Sequence, residues 1–194
     1  MTVPYGPIRD EIRHNRGFID VRGRPDKARE IVEGRDSPAL GNLLVRVAIP
    51  GSPIFTLGCD FGSHREPTNV PARRREVAGG YIQFASIYYD RASPKSYAAF
   101  GNAIIAFLKM QVGEDNWNID FVGQGVNFQF DDKPKGIFPS LWLWFFAAAR
   151  DPFSAVASRE RLIQAIDSAS AGEGLESLEN QAGCILCLRF EERA

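Results

Sequence analysis

The sequence predicts an α+β domain in which a mostly antiparallel sheet of five to seven strands, built from hairpins, packs against two or three helices. Residues 43–61 and 117–130 alternate apolar and polar side chains around central turn residues, a pattern typical of β-hairpins. Residues 94–112 and 152–169 instead repeat apolar residues at helical spacing. Strands in hairpins and helices grouped between them favour α+β over an alternating parallel α/β fold.

The size and composition of the chain fit one globular domain. The chain has 194 residues, of which 44% are hydrophobic and 24% are charged. Prolines and glycines interrupt the first 25 residues, so we expect an irregular N-terminal segment over 1–25 and a single α+β domain over 26–194. The formal net charge is −1. This charge gives no global electrostatic reason to expect binding to nucleic acid or to an anionic membrane.

The first half of the domain is expected to contain a helix and then a hairpin. Asp26 can cap a short helix over 26–33, which carries an apolar stripe. Residues 43–49 and 54–61 then alternate with a period of two, and the Pro-Gly-Ser-Pro sequence at 50–53 favours a tight reversal between them. In the second strand of this hairpin, one face is predicted to carry Phe55, Leu57, Cys59 and Phe61.

The second half is expected to add two or three helices and three or four strands. A strand is predicted over 80–88, and a helix follows from Ser93-Pro94 to residue 112. A second hairpin is predicted over 117–130, with its turn at 123–125. Residues 141–149 are apolar on every side, so periodicity alone leaves strand and helix open. The Pro-Ser start and the alanine run favour a helix there, before a helix to residue 169 and a final strand over 184–190.

The richest polar cluster lies at the end of the strand over 54–61. It contains Asp60, His64 and Glu66, which are the candidate catalytic residues. An aspartate beside a histidine can orient a general base, and Glu66 can supply a second carboxylate. A turn that carries solvated charges is the alternative interpretation, because the sequence contains no Gly-x-Ser-x-Gly nucleophile motif.

Arginines supply the candidate binding residues in the same region. Arg65 is followed by the cluster of Arg73, Arg74 and Arg75, which could hold a phosphate group or an acidic partner. Glu66 and Glu76 flank the cluster, and no aromatic pattern suited to base stacking lies beside it. Nucleic acid is therefore an unlikely partner on sequence grounds.

The three cysteines, Cys59, Cys184 and Cys187, are interpreted as buried thiols. With His64 they would supply four ligands of the kind that zinc accepts. However, residues three apart on a strand point to opposite faces, so Cys184 and Cys187 would diverge. We therefore expect no metal and no cofactor.

Taken together, these patterns favour a non-enzymatic protein-binding or inhibitory module of the immunity type, with another protein as its partner. Its contact surface would be the polar face of residues 118–129 or the arginine loop. A small hydrolase-like enzyme that uses Asp60, His64 and Glu66 is the first alternative, and phosphate or nucleic-acid binding through Arg73–Arg75 is the second.

No apolar run approaches the ~20 residues of a spanning helix. We expect a cytoplasmic protein, because no apolar leader pattern is present. The oligomeric state is left open.

Overall fold

The computed structural model describes residues 3–5, 19–61, 76–87, 93–112, 116–128, 137–171 and 189–190. The helices within this part of the chain are α1 (Pro25–Ala28), α2 (Val32–Asp36), α3 (Pro38–Val47), α4 (Pro94–Val112) and α5 (Pro152–Ala169). The strands are β1 (Val3–Tyr5), β2 (Ile54–Phe61), β3 (Glu76–Ser86), β4 (Trp117–Phe128), β5 (Ile137–Ala149) and β6 (Arg189–Phe190).

The four long strands form one antiparallel sheet, so the predicted α+β class is confirmed. The hydrogen-bonding order is β1-β4-β5-β3-β2, and the short strands β1 and β6 both pair with β4 in parallel. The described part of the antiparallel sheet has four strands rather than five to seven, and five helices accompany it rather than two or three. The division of the chain at residue 25 stays a prediction.

The described helices bury their apolar side chains against one face of the sheet. The sheet contributes Ile82 and Phe84 from β3, Phe121 from β4, and Leu141, Leu143 and Phe145 from β5 to this main core. From the helical side, α3, α4 and α5 contribute Leu43, Leu44, Ile104, Leu108, Leu162 and Ile166 to the same core. Within the described ranges, no helix combines the length and the apolarity needed to cross a bilayer.

Residues 43–49 are not a strand, and the hairpin predicted over 43–61 is wrong. Leu40, Leu43, Leu44 and Val47 are all buried, and their spacing of three, one and three is that of one helix face. Ser37 caps this helix, because its Oγ accepts from the backbone N–H of Leu40 at 3.1 Å. The alternation at 43–49 arises because two further apolar residues fall on it: Val45 packs half-buried against the main core, and Ile49 lies beyond the end of α3.

The helix favoured over 141–149 is wrong as well, since these residues belong to strand β5. This strand pairs with β3 on one edge and with β4 on the other. A central strand can bury both of its faces, and this explains why the segment is apolar on every side. Leu141, Leu143 and Phe145 point to the helices, and Trp142 and Trp144 point to the opposite face.

The predicted turn at residues 123–125 does not exist, because β4 runs unbroken from Trp117 to Phe128. It pairs with β5 over eleven consecutive positions, and neither Gly123 nor Gly125 has a positive φ. The apolar residues change from odd to even positions because β4 serves two cores. Phe121 packs in the main core, whereas Val126 joins a smaller cluster on the opposite face with Phe55, Leu57 and Ala85.

Strand β2 also changes face along its length. A bulge between Thr56 and Gly58 inserts one residue relative to β3. Consequently Phe55 and Leu57 pack in the smaller cluster, while Cys59 and Phe61 pack against the main core. The prediction that these four residues share one face is therefore wrong.

The remaining predictions agree with the structure in type. The single helix predicted over 26–33 is instead two short helices, α1 and α2, and Asp26 lies in the first turn of α1 without capping it. The strand predicted over 80–88 overlaps β3. The helices predicted over 94–112 and 152–169 match α4 and α5, so both are confirmed. Of the strand predicted over 184–190, only residues 189–190 lie within the described part of the chain.

Replacing Leu143 by alanine should destabilise the protein strongly, because Leu143 is fully buried at the centre of the sheet. We expect the free energy of unfolding to fall by about 2–5 kcal/mol in urea denaturation. Ile137 on the same strand is 67% exposed and provides the control. The Ile137→Ala variant should stay within about 0.5 kcal/mol of the parent protein. Equal losses in the two variants would contradict the assignment of β5.

Candidate binding surface

The sheet face away from the helices carries a row of side chains that crosses four strands. In the register of the sheet, Asp60 of β2 lies opposite Tyr81 of β3, Tyr81 lies opposite Trp144 of β5, and Trp144 lies opposite Asp120 of β4. Directly opposed residues on neighbouring strands point to the same face. The row, which we call the aromatic row, therefore has a carboxylate at each end and two aromatic rings between them.

A third ring joins the aromatic row from the next position along β5. The ring centroids of Tyr81 and Trp142 are 4.6 Å apart with an interplanar angle of 27°. Trp142 and Trp144 stack at 5.6 Å and 21°, and Tyr81 and Trp144 lie 5.0 Å apart. Such pairs contribute more than their buried area alone. The three rings are half-buried, so they are held rigidly while part of their surface remains accessible.

Gly58 and a chain of polar contacts lie beside the rings. Gly58 follows the bulge in β2, and a Cβ placed on it would lie 3.8 Å from the Tyr81 hydroxyl oxygen. The tyrosine ring therefore extends over the glycine. Beside the rings, the buried Gln83 donates from Nε2 to Ser140 Oγ at 2.8 Å, and Ser140 Oγ donates to the carbonyl of Gln124 at 3.0 Å. This chain of hydrogen bonds links side chains of β3 and β5 to the backbone of β4.

Burial raises the pKa of the Tyr81 phenol to about 12 from its ordinary value of 10.0. The carboxylate of Asp60 adds to this shift, because it opposes a second negative charge nearby. Tyr81 is therefore a neutral hydrogen-bonding group throughout the physiological range. The aromatic row presents negative charge only at its ends.

The indole N–H of Trp142 is buried, and it donates to no acceptor in the described part of the chain. A buried donor without an acceptor costs free energy. The same indole ring stacks on both of its aromatic neighbours, and these contacts contribute favourably at the same place.

The structure places only one of the sequence-predicted site residues. Asp60 lies near the end of β2, beside Tyr81 in the aromatic row. The other candidates fall outside the described residues: His64, Arg65, Glu66, Arg73, Arg74 and Arg75. The catalytic combination of Asp60, His64 and Glu66 and the arginine loop therefore remain predictions.

The polar positions of β4 lie where the alternation predicts. Asn118 and Asp120 point away from the helices, whereas Ile119 and Phe121 pack on the main core. Asp120 is exposed and pairs with Trp144 across the sheet. Sequence analysis therefore singled out both carboxylates of the aromatic row, Asp60 as a candidate catalytic residue and Asp120 as part of a polar strand face. It missed the rings, because their proximity depends on β3 and β5 being neighbours.

Cys59 is the only cysteine within the described residues, and it points away from the aromatic row. It packs beside the main core, opposite Ile82 in the register. Burial raises the pKa of its thiol to about 12, and the negative charges of Glu33 and Asp60 add to the shift. In the described ranges, no group of three or more histidine, cysteine or acidic side chains could hold a metal ion. The expectation for Cys184 and Cys187 lies outside those ranges.

Together, the fold and this surface define an α+β protein whose antiparallel sheet is packed with helices on one face and carries an aromatic row between two carboxylates on the other. No family model matches the chain, and neither a curated protein nor a solved structure is similar to it. The function is therefore inferred from the described side chains alone.

Native-state titration should reveal at least two tyrosines with raised pKa values, Tyr81 and Tyr97. Burial raises the pKa of Tyr97 to about 12, as it does for Tyr81, and the chain has five tyrosines. Between pH 10 and 12 the unfolded chain therefore binds fewer protons, so the free energy of unfolding should fall as the pH rises. Near-ultraviolet absorbance reports ionisation of the tyrosine phenols. In the folded protein, the phenols of Tyr81 and Tyr97 should ionise later than ordinary tyrosines as the pH rises. In denaturant, all tyrosines should ionise near pH 10. Tyr81→Phe should remove one late phenol, and unchanged titration would refute its burial.

Cys59 should react slowly with a thiol reagent in the folded protein. The pKa of the Cys59 thiol is about 12, whereas the ordinary value is 9.0, so the folded protein contains roughly a thousandfold less thiolate at this site near neutral pH. In a Cys184→Ser/Cys187→Ser background, we expect the native thiol to react at least about a hundredfold more slowly than the denatured one. Met110→Cys, placed at a position that is 69% exposed, supplies a fast-reacting control once Cys59 is also replaced by serine. Equal rates for the two sites would show that Cys59 is accessible.

Proposed function

We propose that this protein is a non-enzymatic protein-binding module whose contact surface is the aromatic row. The observation that carries the proposal is the stack of Tyr81, Trp142 and Trp144 between the carboxylates of Asp60 and Asp120, on the sheet face that no described helix covers. Tryptophan and tyrosine are enriched among the residues that dominate protein interfaces. Their rigid rings contribute large contact area at a small entropic cost.

The chemistry of the aromatic row favours a partner with a basic side chain at its contact. A lysine or arginine placed over Trp144 would be attracted by the ring face, at a cost in solvation that a nearby carboxylate offsets. Two carboxylates at the ends of the aromatic row would steer such a partner and fix its orientation. An inhibitory, immunity-type role follows if the basic residue belongs to the partner's own functional site.

The two alternative functions remain predictions because their key residues lie outside the described part of the chain. The hydrolase-like mechanism requires His64 and Glu66 near Asp60. Phosphate binding requires the guanidinium groups of the arginine cluster at 73–75. No contact among the described residues favours either alternative over protein binding.

Substitution of Trp144 should abolish tight partner binding without unfolding the protein. The tagged full-length protein would be purified from its native cells, its stoichiometric partner identified by mass spectrometry, and the affinity measured by calorimetry. We expect Trp144→Ala to weaken binding about thirtyfold or more, because central interface aromatics contribute about 2 kcal/mol or more. The control Ile137→Ala should bind as the parent protein does.

The two carboxylates can be tested in the same assay. Asp60→Asn with Asp120→Asn should reduce the salt dependence of association, since electrostatic steering is screened by ions. Absence of any stoichiometric partner, together with turnover of a substrate, would refute the proposed function. Full affinity in Trp144→Ala would move the contact surface away from the aromatic row.

A further inference from the structure

A concave surface lies on the helix side of the sheet. It is a half-open groove of about 900 Å³ between α5, the C-terminal half of α4 and the adjoining ends of β4 and β5. We propose that this groove binds an extended acidic polypeptide segment of a partner protein. The inference is independent of the function proposed for the aromatic row, because the two surfaces share no residue.

The length of the groove favours a polypeptide over a compact ligand. Its wall follows α5 from Ser154 to Ser168. Fourteen residues of α-helix rise about 21 Å. An extended chain advances about 3.3 Å per residue, so the groove is long enough for roughly six residues.

The floor of the groove is apolar and its walls are polar. Phe107 and Val112 of α4 and Trp117 of β4 are half-buried and provide apolar surface. Hydroxyl and amide groups line the walls, from Gln111, Asn116, Ser154, Ser158, Gln164 and Ser168. An extended peptide could place alternate apolar side chains on the floor, and its backbone could bond to the walls.

The charge of the groove favours an acidic ligand. Arg150 and Arg161 both line it, both are exposed, and neither forms an ion pair with a described residue. Arg161 Nη2 donates to Ser158 Oγ at 3.1 Å, which directs its guanidinium along the wall. The guanidinium fork is suited to binding a carboxylate.

Asp151 is the only carboxylate among the residues described as lining the groove. Its two oxygens accept from the backbone N–H and the hydroxyl of Ser154 at 2.9 and 2.6 Å. Both bonds cap the first turn of α5, so this negative charge is already engaged with a helix N-terminus. Among the described residues that line the groove, the two arginines therefore outnumber the one carboxylate, and their net charge is positive.

The test uses the full-length protein and a fluorescein-labelled hexapeptide of alternating glutamate and leucine. Fluorescence anisotropy should show saturable binding that weakens with salt. The matched peptide of alternating lysine and leucine should bind at least about tenfold more weakly. In nuclear magnetic resonance spectra, the backbone amides of Ser154, Ser158 and Arg161 should shift on addition of the glutamate peptide.

Charge reversal separates the groove from general electrostatic attraction. Arg150→Glu/Arg161→Glu should weaken glutamate-peptide binding about tenfold or more. Arg29→Glu/Lys95→Glu changes the net charge equally at exposed positions outside the groove, and should change the affinity less than about twofold. Circular dichroism should show that both variants remain folded. Trp144→Ala should bind the peptide normally, so that failure of this inference is distinguishable from failure of the function proposed for the aromatic row.

Three results would overturn the inference. The first is the absence of saturable binding of the glutamate peptide to the parent protein. The second is equal weakening by the two charge-reversal variants, which would indicate attraction by net charge alone. The third is displacement of the peptide by free glutamate or inorganic phosphate at equal concentration, which would indicate a site for a compact anion.

Discussion

The fold depends on the pairing of β5 with a strand on each of its edges. This double pairing gives β5 two faces to fill, and its alternating residues fill them differently. Leu143 and its odd-numbered neighbours meet the helices, whereas Trp142 and Trp144 stack with Tyr81 on the opposite side. The strand that organises the hydrophobic core therefore also positions the rings of the aromatic row.

Polar contacts between α3 and α5 hold the helical layer together. Arg46 Nε donates to Asp167 Oδ1 at 2.7 Å, and Ser37 Oγ donates to Glu160 Oε2 at 2.8 Å. These contacts join segments more than 120 residues apart in sequence. The two helices stabilise each other over the sheet, which anchors the layer to one face and leaves the other face for the aromatic row.

The sequence predicted an element correctly where its start signal and its period agreed. Helix α4 has both, beginning at Ser93-Pro94 and keeping one apolar stripe to its end. In α3 the signals disagreed: the cap at Ser37 and the 40–47 spacing indicate a helix, but Val45 and Ile49 add apolar residues that also produce a period of two. In β4 the apolar residues move from odd-numbered to even-numbered positions. This change suggested a turn, although it reflects burial of the two halves of the strand in two separate cores. Aspects of the candidate site that depend on strand order, such as Tyr81 opposite Trp144, leave no local trace in the sequence.

The bulge in β2 has a consequence for how this chain tolerates change in length. Because side chains alternate along a strand, the inserted residue sets which of the following residues are inside. Deletion of a single residue there would turn Asp60 towards the helices and Cys59 towards solvent. A carboxylate would then be buried in place of a thiol, a change too costly for the core to absorb. The spacing between Phe55 and Asp60 is thus a constraint on insertions and deletions that operates independently of the identity of the residues between them.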